Sequence, residues 1–286
     1  MVTIVPAPSS QSVAAALAAT GVGTLATPTY EWFTDDEILL SVPDFDDERA
    51  IVVGSTATSD AHVELLQLQD AVREAGARDV TTVIPYLGYA RQDQAFKPGQ
   101  PVSVRAMAKA ISTGTDRVVV VNPHEPGVTD FFTVPTGVVD AAAALADPLD
   151  DLSEPLFVAP DKGATELATT TRDAYGRGDV DYFEKERDYD TGAVEHTPSD
   201  APVTGRDVVV VDDIIATGGT MSSAIEVLAD RGAARVYALC VHPVLAGAAR
   251  TKLAAAGVER VVGTDTIEQP ISDVSVAPAV ADAIDG

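Results

Sequence analysis

The chain's 286 residues, 46% of them hydrophobic and 5% aromatic, carry 44 acids against 19 bases, for a formal charge of −25. That length holds two modest domains, and few aromatics beside many Ala and Val suit helices packed on parallel sheets. The acidic excess argues against nucleic acid or an anionic membrane as partner, and a total of five lysines fits a salt-rich cytoplasm, where the screening length falls to about 3 Å at 1 M salt. No apolar run reaches about 18 residues and the N-terminus lacks a basic region, so neither a membrane span nor a signal peptide is expected and a soluble cytoplasmic protein is.

Residues 50–88 run strand (51–53), Ser/Thr-rich loop (55–60), helix (61–74), Gly76-Ala77, strand (80–84) and Pro85. His62, at the start of that helix, is expected on the surface. Helical patterns at 102–111 and 139–146 alternate with strands at 117–121 and 156–159, which implies parallel sheets with right-handed crossovers. Pro and acids break the pattern at 147–155, so the expected domains are 1–146 and 147–286. Residues 176–202 are charged and lack an apolar period, and such a loop in a compact domain is expected to be functional or mobile. Residues 207–247 then repeat the order of 50–88, with loop 212–220, helix 221–231, Gly232-Ala233, strand 236–241 and Pro243. The chain is therefore expected to be an α/β protein made by duplication, with a last strand at 260–262. Cys240, the single cysteine, lies in an apolar run and is expected as a small core residue.

The chemistry concentrates at the start of the second copy. Four valines, Val208 to Val211, fit a central strand buried on both faces, which delivers its successor residues to the carboxyl edge of the sheet. Those are Asp212 and Asp213, then Ala216, Thr217, Gly218, Gly219 and Thr220 before a helix. Paired glycines let backbone N–H groups close on an anion, the threonines add hydroxyl donors, and the helix N-terminus stands behind them. Two acids beside a phosphate cradle need other work, which vicinal sugar hydroxyls or Mg²⁺ would supply. The implied ligand is a sugar phosphate, held by the second copy alone, because the first lacks the acids and the glycine pair.

Several ordered segments together resemble the ribose-phosphate pyrophosphokinase family, its archaeal branch especially, over nearly the whole length. The loop from Asp212 to Thr220 is shared with phosphoribosyltransferases, but Pro85-Tyr86-Leu87-Gly88-Tyr89-Ala90-Arg91-Gln92-Asp93 and Lys97-Pro98-Gly99-Gln100-Pro101-Val102-Ser103 are similar to the synthetase's ATP-side signature. Asn122-Pro123-His124-Glu125, Ala159-Pro160-Asp161-Lys162-Gly163, Glu184-Lys185-Glu186-Arg187 and Val241-His242-Pro243-Val244 follow in the family's order. The resemblance implies two duplicated phosphoribosyltransferase-like (type I) domains, each a mainly parallel sheet flanked by helices. It also implies transfer of the β,γ-diphosphoryl group of ATP to the 1-hydroxyl of ribose 5-phosphate, with AMP released.

By the same resemblance, His124 and Asp161 bind Mg²⁺, and Lys185 and Arg187, on a flexible loop at about 176–202, close over the reacting phosphates. Arg187 also joins Asp212, Asp213 and residues 216–220 on ribose 5-phosphate. Adenine falls to the run Phe33, Thr34, Asp35, Asp36, Glu37, where Phe33 stacks on the base and Asp35 and Glu37 accept from its amine. Thr34 and Asp36 stand where the family commonly has proline or serine and then glycine or asparagine, so the turn is expected to differ in shape. Arg91 and Gln92 complete the nucleotide site. Because that turn often serves a neighbouring subunit's site in the family, at least a symmetric homodimer is expected. Two other activities carry weight: a phosphoribosyltransferase, and a non-catalytic homologue that assembles with an active synthetase.

Overall fold

The computed structural model describes the backbone of residues 1–187, 194–198 and 201–285, and side chains of 1–183 and 201–285. In chain order its first part comprises β1 (Val2–Pro6), α1 (Gln11–Ala19), β2 (Thr24–Leu25), β3 (Thr29–Trp32), β4 (Ile38–Ser41), β5 (Arg49–Val53), α2 (Ser59–Glu74), β6 (Asp79–Ile84), α3 (Ser103–Ile111), β7 (Arg117–Val121) and β8 (Thr136–Val139). There follow β9 (Leu156–Ala159), α4 (Thr165–Tyr175), β10 (Asp179–Arg187), β11 (Val194–Pro198), β12 (Asp207–Ile214), α5 (Gly219–Asp230), β13 (Arg235–His242), α6 (Ala249–Ala255), β14 (Arg260–Thr264), β15 (Ser272–Val274) and α7 (Ala277–Asp285). Two compact units result: Met1–Asp140 with Asp265–Glu268 and the segment from Ser275 onward, and Ala141–Thr264 with Gln269–Val274.

In the first unit a parallel sheet has the order β2-β1-β5-β6-β7-β8. Its central strands are continuous apolar runs, with Val52 and Val53 on β5, Val83 and Ile84 on β6 and Val118 to Val121 on β7 all buried, as a sheet covered on both faces demands. α2 lays Ala61, Leu65, Leu68 and Val72 on the core at helical spacing, and Thr58 caps it by accepting the Ala61 N–H at 3.1 Å. β3 and β4 form a separate antiparallel pair. α7 returns to this unit against α1, β7 and β8, and Arg117 donates to the Ala283 carbonyl at 2.7 Å. The sequence alone assigned everything after residue 147 to the second domain.

The second unit repeats the plan. Its order β11-β10-β9-β12-β13-β14-β15 matches the first strand for strand from β10 to β15, as duplication predicts. All pairs are parallel except β10 with β11. Cys240 is a free, fully buried thiol on β13, as expected.

Three expectations are corrected. Residues 139–146 are not one helix: Val138 and Val139 pair with Val120 and Val121 as the end of β8, their β-branched side chains suiting the pleat, and only Ala142–Ala146 turn as a 3-10 helix. The irregular stretch at 176–202 contains β10 and β11, because Asp179 to Tyr182 extend the sheet beside β9 and Phe183 is fully buried. Residues 188–193 and 199–200 of that stretch lie outside the described residues. His62 is buried rather than on the surface, with its ring 5.4 Å from that of Tyr89.

β12 is tied to β13 by a fork as well as by the ladder. Arg235 donates from Nε and Nη2 to the two carboxylate oxygens of Asp207, each at 2.8 Å, and this holds the Asp207 pKa below its ordinary value. A depressed pKa contributes stability that is present above the unfolded pKa, about 4, and is lost as pH falls through the lower folded value. Asp207→Asn should therefore lower the melting temperature at pH 7, with the difference from the parent shrinking as the pH is taken below the ordinary carboxylate value. Thermal melts followed by circular dichroism at constant salt check this; a difference that persists at acid pH would show the fork is not its source.

Candidate active site

The carboxyl edge of the second sheet gathers the acids and the glycine loop. Asp161 follows β9, and its Oδ1 accepts the Gly163 N–H at 2.9 Å, which fixes the carboxylate at the strand end. β12 lies beside β9 and β13, so Asp212 and Asp213 emerge next to it. Asp212 Oδ1 accepts the Asp213 N–H at 2.9 Å. Its pKa is pushed well above the ordinary carboxylate value, first by removal from water, then by Asp213, with Asp161 adding to the repulsion. Such a cluster calls for proton donors or a cation.

Past the acids the chain turns through Ile215 and Ala216 into α5. That turn is braced from behind by 242–246: the Ile215 N–H donates to the His242 carbonyl at 3.2 Å, and the Leu245 and Ala246 N–H groups donate to the carbonyls of Ile215 and Ala216 at 2.9 Å each. The motif at 241–244 thus has a structural task, which its residue types alone do not disclose. Gly218 is the N-cap of α5 with φ 76, and no side chain caps the helix. A Cβ at Gly218 would meet the Ala249 backbone at 3.1 Å, so glycine is required both by the left-handed backbone and by close approach. Thr217 and Thr220 are exposed beside it, and a Cβ at Gly219 would meet Thr217 Oγ1 at 4.0 Å, ordinary contact. An uncapped helix start with two hydroxyls at its rim suits an anion. Lys185 and Arg187 belong to β10 by backbone, in register with His196 and Val194 of β11, and their side chains lie outside the described residues.

In the first unit the corresponding edge is built differently. β6 ends in Pro85 and the chain folds back over the start of α2: the Thr56 N–H donates to the Tyr86 carbonyl at 2.9 Å and the Gly88 N–H to Thr56 Oγ1 at 2.9 Å. A Cβ at Gly88 would lie 2.0 Å from the Thr56 carbonyl oxygen, so only glycine lets the two loops touch. Tyr89 takes φ 63, its hydroxyl 3.1 Å from Ser59 Oγ, and the Gln92 N–H donates to its carbonyl at 2.8 Å. This turn presents Arg91, which is exposed and has no hydrogen-bond or ion-pair partner among the described residues. Gln92 reaches across to the Gln94 and Pro101 carbonyls. His62 beneath has both ring nitrogens without a described partner, and burial lowers its pKa to about 4. Sequence reasoning missed His62, Ser59 and Thr56 as supports of this turn because nothing in a Ser/Thr-rich loop reveals what it will face.

His124 is exposed just after β7, past Asn122, whose Nδ2 donates to Asp140 at 2.8 Å. Phe33 to Glu37 cap the β3–β4 pair: the Phe33 N–H donates to the Glu37 carbonyl at 2.8 Å and the Asp36 N–H to the Phe33 carbonyl at 3.1 Å. Asp36 sits at φ 62, the left-handed position that glycine or asparagine would fill. Phe33 and Trp32 are exposed, at 52% and 65%, two aromatic rings beside the exposed acids Asp35, Asp36 and Glu37. Among the described residues no group of three or more His, Cys, Asp or Glu is arranged to hold a metal by itself.

Residues 2–114 match the N-terminal domain of ribose phosphate pyrophosphokinase, and residues 132–275 match the phosphoribosyl transferase domain. A ribose-phosphate pyrophosphokinase of Halobacterium salinarum is 60% identical over 278 residues, covering 96% of this chain and 98% of its own. The chain belongs to the ribose-phosphate pyrophosphokinase family. Another member, from Methanosarcina mazei, is 43% identical over 258 residues, with 89% of this chain and 85% of that one covered. The crystal structure of phosphoribosylpyrophosphate synthetase from Mycobacterium smegmatis resembles this fold with a TM-score of 0.83 at 25% identity, covering 99% and 97% of the two chains. The resemblance read from the motifs is thereby borne out for family and fold.

The backbone demand at Gly218 gives a direct test. Gly218→Ala should cost about 1–3 kcal/mol from the left-handed φ and the displaced Ala249 backbone, read as an earlier midpoint in guanidinium denaturation. An unchanged midpoint would mean the loop has room that the structure denies it.

Proposed function

We propose that this protein is a ribose-phosphate pyrophosphokinase of a salt-rich cytoplasm, transferring the β,γ-diphosphoryl group of ATP to the 1-hydroxyl of ribose 5-phosphate with Mg²⁺ and releasing AMP. The observation that carries the reading is the pairing of an uncapped α5 N-terminus with the desolvated Asp212 and its neighbour Asp213. The helix start and the Thr217 and Thr220 hydroxyls hold the 5-phosphate, while the 2- and 3-hydroxyls of the sugar donate to Asp212 and Asp213 and relieve their repulsion. A bare phosphate satisfies only half of this site.

On the nucleotide side, Arg91 binds phosphate, Gln92 fixes its turn, and Phe33, Asp35, Asp36 and Glu37 receive the adenine, in a homodimer or larger assembly if the turn serves a neighbour. Three features favour this assignment: Arg91 is exposed without a described partner, the exposed 33–37 tip sets one aromatic ring, Phe33, among the acids Asp35, Asp36 and Glu37, and the first unit matches the pyrophosphokinase N-terminal domain. The same match weighs against a phosphoribosyltransferase, and keeping His124, Asp161, Lys185, Arg187 and Asp212 together weighs against a non-catalytic homologue.

Asp161 fits one protein ligand of a hard cation, because it is fixed at a strand end and close enough to raise the Asp212 pKa, and His124 offers an exposed imidazole at the matching edge of β7. A cation that keeps most of its shell for phosphate oxygens and water needs few protein donors. When bound, Mg²⁺ would offset charge on the diphosphoryl oxygens. The residues supply positioning and fixed charge: the sugar is held so that its 1-oxygen faces the β-phosphorus in line with the leaving AMP oxygen, and Lys185 and Arg187 bring cations to the charge that develops between them.

Mixing the protein with ATP, ribose 5-phosphate and Mg²⁺ at high salt should yield AMP in step with phosphoribosyl pyrophosphate; pyrophosphate released from a base-dependent reaction instead would favour the transferase. Lys185→Ala should cut kcat by about 10²-fold or more, as loss of a transition-state cation does, while ribose 5-phosphate binding by calorimetry stays close to the parent's. Equal loss of both would reassign the lysine to binding.

A further inference from the structure

The β3–β4 pair is a two-stranded ribbon, and on the outer edge of β4 the backbone groups are not left open. The ladder pairs Trp32 with Ile38, Glu31 with Leu39 and Tyr30 with Leu40, and the Phe33 N–H to Glu37 carbonyl bond sets its phase. In an antiparallel ladder, alternate pairs exchange both hydrogen bonds and the pairs between point theirs outward. Ile38 and Leu40 are of the outward kind. The side-chain amide of Gln67, on α2, meets both: Nε2 donates to the Ile38 carbonyl at 2.8 Å, and Oε1 accepts the Leu40 N–H at 3.1 Å. One side chain thus imitates the peptide of a neighbouring parallel strand, a fork that fixes both the height and the rotation of the ribbon on the helix.

A second tie fixes the other strand, since the Tyr30 hydroxyl donates to the Pro6 carbonyl at 3.0 Å. Tyr30, Ile38 and Leu40 also pack on the core of the first unit. The tip beyond them has no such support: Trp32 to Glu37 are all exposed. Where Phe33, Asp35 and Glu37 point is therefore decided at the root of the ribbon. An isolated hairpin of this length is marginal in water, so its geometry is borrowed from α2.

We propose that Gln67 is a positioning residue for nucleotide recognition, holding the 33–37 turn at the height and angle that adenine requires. This rests on assigning that turn to the base. Because α2 also carries Ser59 and His62 beneath the Tyr89–Gln92 turn, one helix sets both nucleotide-facing elements of the unit, and Gln67 governs only the ribbon.

Gln67→Met keeps the length and volume of the side chain and deletes the fork. It should raise KM for ATP about tenfold, equal to about 1.4 kcal/mol, while KM for ribose 5-phosphate and kcat at saturating ATP stay within about twofold. Hydrogen exchange in the peptide spanning 38–41 should quicken in the same variant. Gln67→Glu keeps the acceptor for the Leu40 N–H but opposes the Ile38 carbonyl, so its KM for ATP should fall between those of parent and Gln67→Met. Phe33→Ala separates the two levels of the argument. If Phe33→Ala raises KM for ATP and Gln67→Met does not, the inference is overturned and the adenine assignment stands; if Phe33→Ala has no effect on KM for ATP, both fall. A rise in both KM values together with a lower melting temperature would mark Gln67 as generally structural and overturn the proposal as well.

Discussion

Crowding of negative charge at the end of β12 is the constraint around which the second unit is organised. Asp212 is half-buried beside Asp213 and Asp161, a position that costs stability unless something shares the charge. The neighbouring loop answers with the opposite polarity, an uncapped helix start opened by Gly218. The two demands are a few residues apart and incompatible for a simple anion. They become compatible for a molecule that is a phosphate at one end and a diol at the other, which is why the loop and the acids have to be understood together.

The duplicated units show how one plan supports two tasks. Their sheets share strand order, yet the loop after the strand that follows the crossover differs. In the second unit it is propped from behind and open in front. In the first it is filled by its own chain: the Ser55 N–H donates to Ser10 Oγ at 2.8 Å, Ser55 Oγ donates to the Thr266 carbonyl, and Thr56 is engaged by Tyr86 and Gly88. The polar groups of Ser55 and Thr56 are thus taken up by partners within the chain. The edge instead supports a turn that presents the exposed Arg91, so side chains stand there where the second unit offers backbone donors.

What the sequence made legible follows from how local each signal is. The valine run, the double acid and the glycine pair are contiguous, so strand, cradle and the helix after them could be read together; the same holds for the 85–93 motif. Pairings across the chain were not legible. His62 was expected at the surface because a helix start usually is, yet the Gly88 contact folds a loop over it. The stretch at 176–202 lacked an apolar period because the residues of β10 opposite β9, Asp179 to Tyr182, are exposed or half-buried and burial falls on Phe183 alone among those whose side chains are described. Gln67 gave no sign at all, since a glutamine on an amphipathic helix is normally solvated.

The path of the chain has an implication for how the molecule comes into being. Residues from Ser275 onward close the first unit, with α7 set against α1, β7 and β8, so the second unit is an insertion within the first. During synthesis the second unit can acquire its full complement of strands while the first still lacks a helix. The unit begun first is therefore closed only after the one inserted into it, because α7 is made after β15.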